Sequence, residues 1–159
     1  MSFKTMKIRP KIALYEPDIP QNTAAIIRTC SCLGGMTEII EPCGFIFNDK
    51  RFKRVVMDYM DKKTIKFYKN FENFFEKKKS KKERVILMTT KAQTSYTSFK
   101  FKNNDTILFG RESAGVPNKI HKMVNKRLKI PMVINKRSLN LASSVAIVLA
   151  EIIRQNKLL

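Results

Sequence analysis

The chain has 159 residues, 43% of them hydrophobic, and its 32 Lys and Arg against 13 Asp and Glu give a formal net charge of +19. This length and apolar content favour one domain, residues 1–159, whose core needs no disulfide or metal staple. No run of 18 apolar residues is present, and lysines and prolines interrupt the N-terminal segment, so we expect neither a membrane span nor a signal peptide.

Apolar runs rich in β-branched residues alternate with helical patterns along the chain. The predicted strands cover residues 11–17, 37–42, 64–69, 84–90, 106–110 and 128–133. The predicted helices cover residues 22–35, 48–61, 70–83, 118–125 and 138–155. The expected N-caps of the first two helices are Asn22 or Thr23, and Asn48 or Asp49. This alternation predicts an α/β fold, with a mostly parallel sheet flanked by helices on both faces.

The cysteine and histidine content bounds the redox and metal chemistry. Cys30, Cys32 and Cys43 are odd in number and lack a paired Cys-x-x-Cys spacing, and His121 is the only histidine. A disulfide framework and a zinc site are therefore disfavoured, and no metal is expected. We expect reduced, buried thiols in a cytoplasmic protein.

The excess positive charge predicts binding to a polyanion, because neutralising phosphates releases counterions. A net charge beyond about 8 exceeds what solubility demands of a small domain, which favours a nucleic-acid surface. The alternative is a lysine-rich surface that reflects coding bias and serves only solubility. An anionic membrane is disfavoured, since no basic amphipathic helix with exposed aromatics stands out. The run EKKKSKKER, residues 76–84, is interpreted as a solvated turn.

The loops that follow the strands are the candidate sites, because ligands of parallel α/β sheets gather beyond the carboxyl ends of the strands. The loop after the first strand leads to Asn22 and Arg28 on one helix, although a surface or ion-paired arginine is the alternative for Arg28. The glycine-framed loop at 110–115 matches neither a P-loop nor the Rossmann glycine triplet. A Ser-His-Asp set is not credible, because His121 fits a surface helix position.

Five stretches in order resemble one known family. They are YEPDIPQNTAAIIRTC, EPCGFIFNDKRFKRVVMDY, TTK, LFGRESAGVP and IPMVINKRSLNLASSVAIVLAEIIRQ. Together they are similar to the SPOUT superfamily of RNA methyltransferases, and most similar to its small bacterial members that 2′-O-methylate the wobble nucleotide, cytidine or uridine 34, of tRNA. The likeness runs over residues 11 to 155 and includes no separate RNA-binding domain.

The resemblance implies a SPOUT fold with a deep C-terminal trefoil knot, a homodimer, and S-adenosylmethionine as the methyl donor. It places the cofactor-binding residues on four separate loops: Met88, Thr89, Gly110, Glu112, Ile130, Met132, Ser138, Leu139 and Asn140. The polar groups at 138–140, predicted to open the last helix, would hold the polar edges of the cofactor, while Ile130 and Leu139 would flank the adenine.

Asn22 and Arg28 match the catalytic motif of this family, so the resemblance implies methyl transfer to the ribose 2′-hydroxyl of the wobble nucleotide. Related enzymes are described as using this arginine to activate the hydroxyl. A guanidinium has a pKa above about 12 and no free lone pair, so we expect Arg28 to bind the target phosphate or steady the developing alkoxide. In a dimer, Arg28 of one subunit is expected to serve the cofactor loops of the other.

Two alternatives stay open within the resemblance: an inactive RNA-binding module of the same fold, or a 2′-O-methyltransferase of rRNA or of another tRNA site. Candidate contacts for the backbone of the anticodon stem-loop lie on the predicted second helix, at Lys50, Arg51, Lys53 and Arg54. The alternative for these residues is a solvated helix face. Two departures from the family pattern are present: Ala24 with Ala25, which bears on the identity of the substrate, and Ala150, which bears on RNA contact or dimer packing.

Overall fold

The computed structural model describes residues 9–47, 50–56, 59, 61 and 63–159. Within these ranges the strands are β1 Lys11–Tyr15, β2 Met36–Ile40, β3 Ile65–Tyr68, β4 Val85–Met88, β5 Thr94–Ser95, β6 Thr106–Phe109 and β7 Lys126–Lys129. The helices are α1 Pro20–Cys32, α2 Lys50–Val56, α3 Phe71–Ser80, α4 Asn118–Met123 and α5 Leu141–Asn156, with a 3₁₀ turn at Tyr96–Ser98. None of the helices so described has the length and apolar character needed to cross a membrane.

The strands form one sheet in the order β3-β2-β1-β6-β4-β7-β5, and every pairing is parallel. The prediction of an α/β fold with a mostly parallel sheet is therefore confirmed. The prediction missed β5, because a strand of two residues carries no alternation pattern. Because β4 lies between β6 and β7, the loops that follow these three strands open side by side at one edge.

Helices cover both faces of the sheet, and the strand residues alternate between them. Ile12 and Leu14 of β1 face one core cluster, which includes Val145 of α5. Ala13 of β1 faces the other cluster, which includes Phe74 of α3. Because both faces are buried, these strands read as nearly continuous apolar runs, and each fully buried Leu or Ile stabilises the fold by about 1.5–3 kcal/mol.

The first helix begins earlier than predicted. Pro20 occupies its first turn, and the preceding Ile19 is the N-cap without a side-chain hydrogen bond. Proline suits this position, because its fixed φ is helical and its missing N–H would have no helical partner. The prediction of Asn22 or Thr23 as the cap is therefore wrong. The predicted caps of α2, at residues 48 and 49, lie outside the described residues.

The last helix begins later than predicted, at Leu141 instead of residue 138. Asn140 is its N-cap, and the Asn140 Oδ1 accepts a hydrogen bond from the Ser143 N–H at 3.1 Å. Ser138 and Leu139 therefore belong to the preceding loop. The strand before that loop begins at Lys126 and ends at Lys129, so the strand predicted at 128–133 was placed too late in the chain and was too long.

One lysine of the run interpreted as a solvated turn is buried. Lys78 is 3% exposed, and its Nζ lies 2.7 Å from Glu38 Oε2 and 3.2 Å from Glu83 Oε2. Lys11 Nζ lies 2.6 Å from Glu83 Oε1, and the Tyr68 hydroxyl donates to Glu38 Oε1. These five residues form what we call the α3 ion cluster. The solvated-turn prediction is wrong for Lys78, because a lysine run gives no sign of which member faces the core.

The three cysteines are free thiols in different environments. Cys30 is buried, Cys43 is half-buried and Cys32 is exposed, so the expectation of buried thiols is wrong for Cys32. Burial raises the pKa of the Cys30 thiol to about 11. Among the described residues, no group of three His, Cys, Asp or Glu side chains is placed to hold a metal ion.

Candidate active site

A cavity of about 670 Å³ opens at the carboxyl edge of β4, β6 and β7. Its walls are the loops that follow these strands, the last of which leads from β7 into α5. Ile19 and Asn22, at the start of α1, complete the wall. Segments far apart in sequence therefore meet because parallel strands deliver their following loops to the same edge of the sheet.

The nine residues predicted to bind a cofactor all line this cavity: Met88, Thr89, Gly110, Glu112, Ile130, Met132, Ser138, Leu139 and Asn140. Asn22, predicted to be catalytic, lines it as well, whereas Arg28 lies outside the set of described lining residues. The structure thus brings the four predicted stretches together around one space, with those at 130–132 and 138–140 on a single loop between β7 and α5. Their role in binding a cofactor stays a prediction.

A tight turn aims Glu112 into the cavity. Arg111 and Gly115 exchange backbone hydrogen bonds, with N···O distances of 3.2 and 2.9 Å. Gly115 has a φ of +66°, and a Cβ at Gly110 would lie 2.6 Å from the Gly115 Cα. The two glycines are therefore required by close backbone approach and by a left-handed conformation. This explains the glycine framing that the sequence showed.

Glu112 is the centre of a polar network that joins three loops. The Asp18 N–H donates to Glu112 Oε2 at 3.0 Å, and the Asn22 amide donates to Glu112 Oε1 at 3.4 Å. The Asn140 amide in turn donates to Asn22 Oδ1 at 3.0 Å. Ser113 closes the network with a short hydrogen bond to Asp18. We call Asp18, Asn22, Glu112, Ser113 and Asn140 the cavity network.

The cavity network shifts the pKa values of its two carboxyls, Asp18 and Glu112, in opposite directions. Burial raises the pKa of Glu112, and the neighbouring Asp18 raises it further. The hydrogen bond with Glu112 lowers the pKa of Asp18. Glu112 is therefore the carboxyl that holds a proton to higher pH. Sequence reasoning missed Asp18, since an aspartate between two prolines reads as loop chemistry; its position beside the glycine-framed loop follows only from the fold.

The family model of the SpoU rRNA Methylase family matches residues 9–150. The chain belongs to this family. The match spans every loop of the cavity, and it confirms the family resemblance found in the sequence.

SpoU-family relatives match over almost their full length. A tRNA (cytidine(34)-2′-O)-methyltransferase of Beijerinckia indica subsp. indica is 44% identical over 144 residues, which cover 91% of this chain and 90% of that protein. A solved structure described as giving structural insights into the 2-OH methylation of C/U34 on tRNA has a TM-score of 0.88 at 33% identity, covering 94% of this chain and 97% of that one.

A more distant SpoU methyltransferase, AviRb from Streptomyces viridochromogenes in complex with the cofactor AdoMet, shares the fold. Its TM-score is 0.84 at 19% identity, with 98% of this chain and 63% of that chain covered.

Arg28 of this SpoU-family chain is not among the residues that line its own cavity. The side chain is exposed on α1, and its guanidinium carbon lies 5.2 Å from the centroid of the Tyr59 ring. The arginine that does line the cavity, Arg111, is engaged by Glu16: its Nη2 lies 3.1 Å from the carboxylate Oε2, and its Nε donates to the backbone oxygen. The two residues predicted to be catalytic, Asn22 and Arg28, are therefore not brought to one site within a single chain.

The candidate RNA contacts lie on a short exposed helix. Lys50, Lys53 and Arg54 are all exposed on α2. Arg51 belongs to the same helix, but its side chain lies outside the described part of the structure. An exposed basic helix fits both RNA contact and a solvated face, so these assignments stay predictions.

Two basic residues of the cavity wall were not among the residues predicted to bind the cofactor, although Lys91 belongs to the quoted TTK motif. His121, interpreted as a surface position of a helix, lines the cavity from α4, and Lys91 lines it after β4. The signal available for Lys91 was its place directly after a strand. For His121 the helical pattern pointed to a solvated face, and only the packing of α4 against the sheet reveals its position.

Proposed function

We propose that this protein is a methyltransferase that moves the methyl group of S-adenosylmethionine to the ribose 2′-hydroxyl of the wobble nucleotide, cytidine or modified uridine 34, of tRNA. The observation that carries the proposal is the convergence of all nine predicted cofactor-binding residues, from three separate loops, on one cavity in a SpoU-family fold. Relatives with 44% and 33% identity support the substrate, through their names and descriptions.

The cavity fits an adenosylmethionine-sized ligand. Its volume of about 670 Å³ lies within the range of about 300–1,000 Å³ usual for such sites. Ile130, Met132 and Leu139 supply apolar surface for a purine ring. Ser138 and Asn140, on either side of Leu139, supply polar groups. The bound cofactor supplies a methyl group on a positively charged sulfur, which is the electrophile of the reaction.

Asn22 has a positioning role in this scheme. It accepts from Asn140 and donates to Glu112, so it links the loop before α5 to the loop after β6. A fixed pair of loops fixes the place of the methyl donor. In-line approach of the 2′-oxygen is then a matter of orientation, which can lower a barrier by several kcal/mol, up to roughly 7–11 kcal/mol in well-oriented systems.

We propose that the functional unit is a homodimer, in which Arg28 of one subunit serves the cavity of the other. Exposed apolar side chains beside α1, on α5 and on the loop between β7 and α5 support an interface, since soluble monomers rarely cluster them. They are Ile19, Val133, Ile134, Leu139 and Ile147, exposed by 37–88%. Ala25 and Ala150, which depart from the family pattern, are also exposed, on the neighbouring helices α1 and α5.

A mixing experiment tests the shared site. We combine Arg28→Ala subunits, which keep the cavity, with Glu112→Gln subunits, which keep the arginine. In a mixed dimer one site then holds both intact residues, so random reassortment restores about a quarter of the wild-type activity by binomial mixing of two inactive parents. If Arg28 serves its own cavity, the mixture stays as inactive as its components.

In the same proposal, Arg28 binds the target phosphate or steadies the developing alkoxide, because a guanidinium group donates hydrogen bonds and has no lone pair with which to accept a proton. The +19 charge and the exposed basic helix α2 would hold the tRNA backbone around the anticodon stem-loop. We also carry over the C-terminal trefoil knot of the SPOUT fold and a cytoplasmic location, where tRNA is found.

Methyl transfer to tRNA tests the proposed activity directly. Purified protein is incubated with labelled S-adenosylmethionine and bulk tRNA, and the nucleosides are then separated by mass spectrometry. We expect label in a 2′-O-methylated nucleoside from position 34. Label at another tRNA position or in rRNA would transfer the proposal to a different substrate. Salt-sensitive RNA binding without cofactor binding or label would instead identify an inactive RNA-binding module.

A further inference from the structure

Charge is unevenly distributed around the cavity. The cavity network places a carboxyl and two amides on the part of the wall formed by the β6 loop and the start of α1 and α5. The part formed by the β4 loop and α4 instead carries Lys91 and His121. A ligand with separated charges would therefore meet two different surfaces.

Arg127 belongs to the second surface by its position in the sheet. It pairs in register with Leu87, and paired residues of parallel strands present their side chains on the same face. Leu87 lines the cavity and belongs to the core cluster that also holds Ile120 of α4. His121, the next residue of α4, is close enough to Lys91 and Arg127 for both charges to lower its pKa, after the larger effect of burial.

Within the described part of the chain, Lys91 and Arg127 form no ion pair. Among the described residues, no carboxylate lies within 4.0 Å of the Lys91 ammonium or the Arg127 guanidinium. By contrast, Arg111 on the same cavity is held by Glu16 at 3.1 Å. Lys91 and the neutral imidazole of His121 on the cavity wall, with Arg127 on the same face of the sheet, match the hydrogen-bonding needs of an oxyanion.

We propose that Lys91, His121 and Arg127 form an oxyanion subsite of the cavity, which takes a carboxylate or a phosphate group. The inference rests on the proposed function, which supplies both sources of such a group. One is the carboxylate of the methionine part of the cofactor, whose ammonium and sulfonium charges would then lie toward the cavity network. The other is a backbone phosphate of the RNA next to the target ribose.

His121 is the only histidine, so its imidazole C2–H signal in a proton NMR spectrum reports on this subsite alone. The full chain is titrated with four probes: inorganic pyrophosphate, S-adenosylhomocysteine, 5′-methylthioadenosine, which lacks the amino acid part, and an anticodon stem-loop RNA. We expect pyrophosphate to shift the signal. A shift by S-adenosylhomocysteine but not by methylthioadenosine assigns the subsite to the cofactor carboxylate, and a shift by RNA assigns it to phosphate.

Affinities of charge-removing variants complete the test. The double variant Lys91→Gln/Arg127→Gln should bind the assigned anion about 5- to 20-fold more weakly, while its affinity for methylthioadenosine is unchanged. The control is Lys126→Gln, which removes the same charge from the neighbouring exposed position of β7. The inference is overturned if no anion moves the His121 signal, or if the double variant binds the anions like the control.

The two proposals fail in different ways. If S-adenosylhomocysteine gives a flat calorimetric titration while pyrophosphate still shifts His121 in the wild type and not in the double variant, the proposed function falls and the anion subsite stands. If S-adenosylhomocysteine binds but the double variant loses nothing, the subsite falls and the proposed function stands.

Discussion

The α3 ion cluster and the cavity network are both polar groups set into an apolar fold, and they are built on opposite principles. In the ion cluster each charge meets an opposite charge at 2.6–3.2 Å, and Glu38 and Lys78 are almost completely buried. In the cavity network the Glu112 carboxyl meets a backbone N–H, an amide and a second acid. Only the ion cluster is neutralised by its own members.

This difference distinguishes a cluster that stabilises the fold from a network that is available to bind a ligand. Removing one partner of a closed ion pair leaves an uncompensated buried charge, so such a cluster tolerates no single change. An open network that borders a cavity keeps hydrogen-bonding capacity for a ligand, and the cost of a change falls on binding or turnover. Variants in the two regions should therefore have opposite profiles of stability and activity.

The largest effect on stability is expected for Lys78→Met. It leaves the Glu38 carboxylate buried beside Tyr68 without its cation, so the free energy of unfolding in urea should fall by about 3–5 kcal/mol. Methylation per folded molecule should stay unchanged, because the cluster lies away from the lining residues of the cavity.

The control for this variant is Lys79→Met, at the next position of α3, where the side chain is exposed. Its free energy of unfolding should change by no more than about 0.5 kcal/mol. Equal losses in Lys78→Met and Lys79→Met would show that the cluster is not the source of the stability. A second change, Glu38→Leu in the Lys78→Met background, should recover part of the loss, since it removes the orphaned charge.

The opposite profile is expected for Glu112→Gln. The Asp18 N–H and the Asn22 amide donate to different oxygens of Glu112, and glutamine replaces one of these oxygens by an NH₂ group that cannot accept a hydrogen bond. We expect kcat for tRNA methylation to fall by about 100-fold or more, in the range seen for lost active-site hydrogen bonds. The free energy of unfolding should change by less than about 1 kcal/mol.

The matched variant is Glu76→Gln, an exposed glutamate of α3 that undergoes the same chemical change. It should leave both activity and stability near wild type. If Glu112→Gln retained full activity, the cavity network would be structural, and the contrast with the ion cluster would disappear.

The α3 ion cluster and the cavity network also show which features of the molecule could be predicted from the sequence. The parallel sheet was predictable because strands buried on both faces are apolar throughout, and the cavity loops were predictable because family motifs and strand ends coincide. The burial of Lys78 was not predictable, because it depends on Glu38 and Glu83, which lie 40 residues earlier and 5 residues later in the chain. Asp18 was missed for the same reason: Glu112, its partner, lies 94 residues away.

Helix starts were the least predictable feature, and Asn140 shows why. Ser138 and Asn140 are both good caps by residue type, and only the backbone decides between them. At the start of α1, Pro20 is the first helical residue and Asn22 lies inside the first turn, because the fixed φ of proline suits the first position of a helix.

Asn140→Ala should have an intermediate effect on both stability and cofactor binding, because Asn140 is the N-cap of α5 and also a member of the cavity network. Loss of the N-cap should lower the free energy of unfolding by about 1 kcal/mol. Loss of the amide that donates to Asn22 should weaken S-adenosylhomocysteine binding by about 5-fold, the worth of one net hydrogen bond. Calorimetry and urea unfolding measure the two losses separately.

Asn140→Asp separates the two roles. Aspartate keeps an oxygen for the Ser143 N–H but has no amide to donate to Asn22. We therefore expect wild-type stability and weakened cofactor binding. Weakened stability with normal binding would reverse the assignment of this residue.

The smallest effect is expected in the pH dependence of stability, where Glu83 and Glu112 should have opposite signs. Burial alone would raise the pKa of Glu83, but the hydrogen bond from Lys11 and the charge of Lys78 outweigh it and hold the pKa below its ordinary value of 4.5. The stabilisation from Glu83 is therefore present above pH 4.5 and is lost as the pH falls through its folded-state pKa. Glu112 has a raised pKa, so the folded protein binds this proton more tightly, and the stabilisation is lost as the pH rises through the folded-state pKa of Glu112.

Urea unfolding between pH 3 and pH 7 measures both effects. The loss of stability toward acid pH should be smaller for Glu83→Gln and larger for Glu112→Gln than for the wild type, in each case by less than about 1 kcal/mol. Slopes that change in the same direction for both variants would mean that the two carboxyls occupy the same kind of environment, contrary to the distinction between a closed cluster and an open site.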